Sequence, residues 1–289
     1  NSVSIAVVGA GLAGIACARR LSAAGLQVRV FESQRAPGGR LATRQFSVAS
    51  FDHGAQYLTA TDAKFRALLG SAQAAGAAAV WRPDWQGGDR RHELWIGYPA
   101  MNSLPRFLAQ DLDVEYGTRI LRLERGHGGW ALMDDRGSAH TDFSAVVLAI
   151  PAPAAEVLAI PCTALAARVR RVPMAPCWAA LVAFDSPLDG VPDAGFPDDS
   201  QLGWFARNGS KPGREAPDAW VLHATADWSR VEFDQTAQNV QRALLDRFSE
   251  RIGRALPRAR LSDAHRWRYA RVEIPLEVPF LLDLEAGIG

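Results

Sequence analysis

Val7-Val8-Gly9-Ala10-Gly11-Leu12-Ala13-Gly14 decides how this 289-residue chain is read, because an apolar run breaks there into glycines and resumes as an alanine-rich segment. Residues 4–8 have the β-branched character of a buried parallel strand, and residues 12–24 place small and apolar side chains at helical spacing. Gly9, Gly11 and Gly14 stand at the GxGxxG spacing. In that pattern the first glycine allows a tight turn, the second lets backbone approach a pyrophosphate, and the third lets helix and strand pack closely. The helix start, with its free N–H groups and dipole, is where the phosphate rests. Residues 27–31 read as the next strand, and Glu32 closes it with a carboxylate suited to a ribose diol. A complete βαβ unit for a dinucleotide is therefore expected.

Length and composition bound what surrounds that unit. At 289 residues two domains are expected, since one core rarely grows much beyond about 250 residues. An apolar fraction of 48% and a charged fraction of 22% are those of a globular protein. The formal net charge of +1 offers no global field for nucleic acid or an anionic membrane surface, so neither partner is expected. Cys17, Cys162 and Cys177 are far apart, without a CxxC or a nearby histidine pair. No metal site or disulfide framework is expected, and the usage fits a reducing, cytoplasmic setting. No apolar run approaches bilayer-spanning length.

Further along, residues 45–48 are strand-like and lead into Phe51-Asp52-His53-Gly54-Ala55-Gln56-Tyr57. Residues 62–79 read as a helix with Asp62 at its start, 81–91 as turn-rich, 92–96 as a short strand, and 103–108 as a second helix. Residues 114–123 are strand-like, and Gly126-His127-Gly128-Gly129 supplies a hairpin loop into 130–133. Residues 145–150 form a continuous apolar run, a buried parallel strand ended by Pro151-Ala152-Pro153. Beyond 154 the stretches 177–184, 202–206, 220–224 and 262–269 are strand-like and rich in tryptophan, so a mostly antiparallel sheet is expected. Val240, Leu244, Phe248 and Ile252 recur every four residues, a helix whose apolar stripe covers that sheet. Residues 187–200 and 208–217 read as loops, with Lys211 and Arg214 as solvated loop charges.

Arg35-Ala36-Pro37-Gly38-Gly39-Arg40 resembles the RxxGGR continuation of flavoproteins in the amine-oxidase superfamily. With residues 52–57, Trp204-Phe205-Ala206-Arg207-Asn208, Lys211-Pro212, 220–225, Trp228-Ser229-Arg230 and 264–271, it resembles the bacterial renalase-like branch of that superfamily over most of the chain. The resemblance implies an α/β fold: a Rossmann-type FAD-binding domain with a parallel sheet, plus an inserted α+β substrate domain with a mostly antiparallel sheet. It implies a discontinuous FAD-binding domain of residues 1–57, 99–153 and 271–289, and a substrate domain of 58–98 and 154–270. Non-covalent FAD is the implied cofactor, held by Gly9, Gly11, Leu12, Ala13, Gly14, Glu32, Ser33, Arg35, Gly39 and Arg40. Gly54, Ala55, Gln56 and Tyr57 would lie beside the flavin ring, and Arg119, Ile120, Ala149 and Pro151 along the dinucleotide. The family pattern closes with a last strand, a GDW-like turn and a helix, and the residues given end at 287–289, ahead of it.

The implied activity is oxidation of the 2- and 6-dihydro isomers of NAD(P)H to NAD(P)+, with O2 reduced to hydrogen peroxide. His265, Trp267 and Tyr269 alternate, so one strand face presents all three as a wall for a planar nicotinamide, or packs them under the 240–252 helix. His223 reads as a satisfied sheet histidine. Two other readings stay open: a flavin amine oxidase or desaturase acting on another small substrate, and a dinucleotide-binding protein without turnover.

Overall fold

The computed structural model describes residues 3–86, 92–216 and 218–289. The chain divides into two compact units: Asn1–Gly39, Pro105–Met174 and Val272–Gly289 make one, Arg40–Leu104 and Ala175–Arg271 the other.

The first unit is built on a four-stranded parallel sheet in the order Ala145–Leu148, Ser4–Val8, Gln27–Glu32, Asp113–Tyr116. Val8 lies between Leu148 and Phe31, so the two central strands end together at the glycine turn. The Leu12–Ala23 helix follows that turn and buries Gly14, Ile15 and Ala18. A three-stranded antiparallel sheet, Ile120–Gly126, Gly129–Asp134 and Ala139–Phe143, contributes Leu123, Trp130, Leu132 and Phe143 to the same core. At the other edge, residues 287–289 run parallel to Ala145–Leu148, with Val146 N donating to Gly287 O at 2.9 Å and Leu148 N to Gly289 O at 2.7 Å. Ile288 is fully buried there.

The second unit carries a six-stranded sheet in the order Ala259–Val272, Met174–Phe184, Ala219–Ala224, Leu202–Arg207, Ala194–Gly195, Trp85–Gln86. The registered pairs are antiparallel apart from the last, which is parallel. The Ala237–Ile252 helix lays Val240, Leu244 and Phe248 against Trp178, Trp220, Leu222 and Ala264 on one sheet face. Ala49 and Phe51 cover the other, against Leu181, Ala183, Ala219 and Val221.

Several expectations change in this structure. Residues 46–49 are the turn of a hairpin between Thr43–Gln45 and Ser50–Asp52, closed by Phe46 N on Ala49 O at 2.9 Å, rather than a strand. The helix after Asp62 spans only Ala63–Ala74; Gly76, at φ +72°, releases the chain into the Ala78–Trp81 strand. The stretch 114–123 is two strands, because Gly117, at φ +67°, turns the chain from one sheet into the next. The units also part elsewhere than expected. Residues 40–57 belong with the antiparallel sheet, into which Phe51 packs, and 154–174 with the parallel sheet, whose core takes Leu158 and Leu165. Of the turn-rich stretch 81–91, residues 87–91 lie outside the described residues, as does Pro217 of the 208–217 loop. No helix is long and apolar enough to cross a membrane, and no metal-ligating cluster occurs, both among the described residues.

Candidate functional site

In the first unit the glycines do steric work. Gly9 adopts φ +103°, and a Cβ there would lie 2.5 Å from Ala149 O, so Ala149 backs the turn closely. A Cβ on Gly14 would meet Gly9 O at 2.0 Å. Gly11 differs, since a Cβ on it would meet nothing within 4 Å. It is also the N-cap of the Leu12–Ala23 helix, without a side-chain cap. The first N–H groups of such a helix have no intrahelical partner. Gly38 N donates to Ala10 O at 2.9 Å, which brings Gly38 and Gly39 alongside the turn.

Glu32 is buried rather than free at its strand end. Its Oε2 accepts from Ala10 N at 2.8 Å, and its Oε1 from Gln34 N at 2.8 Å and from Ser33 Oγ at 3.2 Å. A carboxylate has about four acceptor sites, so capacity for a ribose hydroxyl remains. Arg35 and Arg119 are exposed, whereas Ile120 is buried in the core. Pro151 caps the Ala152–Leu158 helix. A glycine cradle with space at Gly11, an anion-accepting helix start and an acid at the second strand end fit a dinucleotide.

The second unit holds the other implied residues. Arg40 O accepts from Ala55 N at 2.9 Å, and its guanidinium donates to Ala270 O at 2.9 Å. A Cβ on Gly54 would lie 2.1 Å from Arg40 O and 3.2 Å from the Trp267 ring, so glycine is required where the two segments cross. His265 and Trp267 turn away from the helix that Ala264 packs against. His53 stacks on Trp267, with centroids 5.1 Å apart at 26°, and meets His265 at 4.7 Å. Among the described residues the ring cluster is His53, His265 and Trp267, with half-buried Tyr269 outside it. The His53 carbonyl accepts from Trp267 Nε1 at 2.8 Å and lies 3.2 Å from His223 Nε2.

These imidazoles stay neutral. Burial, then the neighbouring His265, pushes His53 down to about 4, and burial takes His223 to about 4. His265 is lowered too, by burial and then by Arg44.

Beneath residues 52–57 sits a buried ionic cluster that local reasoning missed. Lys211 and Arg214, expected as solvated charges, are 1% and 7% exposed. Asp52 Oδ2 lies 3.2 Å from Lys211 Nζ and 2.7 Å from an Arg214 terminal nitrogen, while Oδ1 accepts from Thr43 Oγ1 at 2.7 Å. Burial alone would raise the Asp52 carboxyl, but Lys211 and Arg214 hold it below its ordinary value. Burial lowers Lys211 to about 8 despite Asp52. Nothing local in Lys211-Pro212-Gly213-Arg214 marks it for burial; the partner carboxylate is some 160 positions away.

A second ring cluster joins Tyr57, Trp85, Phe196 and Trp204, with neighbouring centroids 4.6–6.0 Å apart. At these separations and tilts the rings make edge-to-face contacts.

Comparison with known proteins gives this geometry its family. Residues 7–71 match the NAD(P)-binding Rossmann-like domain, and residues 62–273 match the flavin containing amine oxidoreductase family. The chain belongs to the flavin-containing amine oxidoreductases, and the cofactor that membership indicates is FAD. It is an oxidoreductase by the same membership. A redesigned putrescine oxidase shares the fold at TM-score 0.73 and 13% identity, over 91% of this chain and 85% of that one. A protein assigned as a protoporphyrinogen oxidase, from Exiguobacterium, does so at TM-score 0.72 and 14% identity, over 94% and 88%. The Arabidopsis thaliana protein FLOWERING LOCUS D is 42% identical over 62 residues, which is 20% of this chain and 8% of that protein.

Proposed function

We propose that this chain is an FAD-dependent oxidase of the renalase type, returning the 2- and 6-dihydro isomers of NAD(P)H to NAD(P)+ while O2 is reduced to hydrogen peroxide. The balance is one dihydro substrate, one O2 and one proton to one NAD(P)+ and one hydrogen peroxide. Bound FAD supplies the hydride acceptor and the route to O2. Gly9, Gly11, Gly14, Glu32 and Gly39 are the residues of the first unit that would hold it.

The observation that carries this reading is the uncharged wall of His53, His265 and Trp267. The ring of a dihydronicotinamide is uncharged, and neutral aromatic side chains orient it without any proton being exchanged. Aromatisation drives hydride loss, so no catalytic acid or base is required of the protein. An amine substrate would call for a carboxylate or a hollow ring cage for its ammonium. The carboxylates beside the wall are engaged, Asp52 by Lys211 and Arg214, and Asp263 by Arg44 at 2.8 Å. The rings of Tyr57, Trp85, Phe196 and Trp204 are packed against one another. Small-molecule substrate and O2 are therefore the partners of this reading.

The test is anaerobic mixing of the flavin-loaded protein with 2-dihydro-NAD, 6-dihydro-NAD and ordinary NADH. Bleaching by an isomer but not by ordinary NADH, reversed by air, is the expected outcome. A bound flavin left untouched by all three would overturn the substrate reading.

A further inference from the structure

Asp52 needs one cation to be neutralised, and Arg214 already provides it. Arg214 reaches Asp52 Oδ2 through Nε at 3.2 Å and a terminal nitrogen at 2.7 Å, and also donates to Gly97 O and Pro212 O, each at 2.8 Å. Lys211 brings a second, surplus positive charge into the same buried volume, where its side chain is wholly excluded from solvent. A surplus buried charge is costly, and an apolar residue of similar size would serve stability as well or better. What Lys211 adds is a contact that Arg214 does not make: its Nζ lies 3.1 Å from Gln56 Oε1. Gln56 in turn donates from Nε2 to the Asp52 carbonyl and, at 3.1 Å, to the Gly54 carbonyl. The ammonium also lies 5.2 Å from the centre of the Trp81 ring, which limits its movement.

We infer that Lys211 is a positioning residue: through the Gln56 amide it holds the backbone of residues 53–57 in the conformation that presents Gly54, Ala55 and Tyr57. The inference rests on the reading that residues 54–57 border the flavin. Gln56 is the only side chain in 53–57 that ties Lys211 to that segment's own carbonyls among the described residues. With Lys211 fixing its oxygen, the amide cannot flip, so its nitrogen stays aimed at the two carbonyls. Removing the ammonium frees the amide to rotate and loosens the segment, while Arg214 and Thr43 keep Asp52 satisfied and the fold intact.

The test compares Lys211→Met, Gln56→Met and the double variant by amide hydrogen exchange and by titration of the apoprotein with FAD. Each single variant is expected to speed exchange within residues 53–57 by about tenfold, with the Ala237–Ile252 helix unchanged, and to weaken FAD binding by a similar factor. The double variant is expected to be no worse than either single one, because both break the same link. Exchange that is unchanged at 53–57, that rises equally in the helix, or that adds up in the double variant would overturn the inference. Should Lys211→Met fail to fold, Gln56→Met, which alters no charge, decides the matter by itself. Faster exchange with unaltered FAD affinity would uphold the positioning role and overturn the placement of 54–57 beside the flavin.

Discussion

Trp267 donates its indole N–H to the His53 carbonyl at 2.8 Å while its ring stacks on the His53 imidazole, so one side chain fixes both the backbone and the ring of a residue far away in sequence. Trp267→Leu removes both interactions, about 1 kcal/mol for the hydrogen bond and about 0.5–1.5 kcal/mol for the ring pair. A fall of at least about tenfold in kcat/KM for the dihydro isomers is expected. Trp267→Phe keeps a ring and should lose less. Steady-state kinetics decide this: equal activity in both variants would remove the wall from the substrate site.

Gly11 and Gly14 differ in what a side chain there would meet. Alanine at 14 would press its Cβ to 2.0 Å from Gly9 O, so Gly14→Ala should damage both folding and FAD uptake. Alanine at 11 meets no protein atom within 4 Å, and the backbone there is extended at φ −71°. Gly11→Ala should keep its melting temperature and bind FAD at least about tenfold more weakly, because only a ligand fills that space. Thermal melts beside FAD titrations check the pair; unchanged affinity in Gly11→Ala would place the pyrophosphate elsewhere.

Asp52→Asn leaves two buried cations facing a neutral amide. Breaking a buried ion pair in this way costs about 3–5 kcal/mol. For a protein of this size the melting temperature should fall on the order of ten degrees. Adding Lys211→Met to Asp52→Asn should recover part of the loss, since one unpaired charge is removed. Differential scanning calorimetry of the three variants measures it.

The neutral histidines make stability sensitive to acid. His53 and His223 titrate near 4 in the folded protein, against 6.5 as the ordinary value, so the unfolded chain binds more protons between those limits. Stability is therefore fully present above pH 6.5 and is lost as pH falls through about 4. His223→Gln retains a donor for the His53 carbonyl and cannot charge. Its melting temperature should fall less than that of the parent over the same window, and parallel curves would contradict the assignment.

The βαβ unit, the Ala145–Leu148 strand and the Ala237–Ile252 helix are legible because their signals are local. Apolar period, glycine spacing and the proline after 150 all act within a few residues of where they are written. Boundaries that depend on one glycine's backbone sign, as at Gly76 and Gly117, were lost to the apolar pattern running through them. The alternation of His265 and Trp267 showed a shared face, but only Ala264 packing on the helix determined which face it was.

By itself, then, the amino-acid sequence determined the dinucleotide-binding unit, since glycine sterics and strand-helix periodicity are properties of neighbouring residues. Only the tertiary structure decided that Lys211 and Arg214 are buried against Asp52 and that His53 faces Trp267. Whether a charge is solvated or an imidazole ionised depends on what the fold lays over it, and those covering groups come from 150 or more positions away.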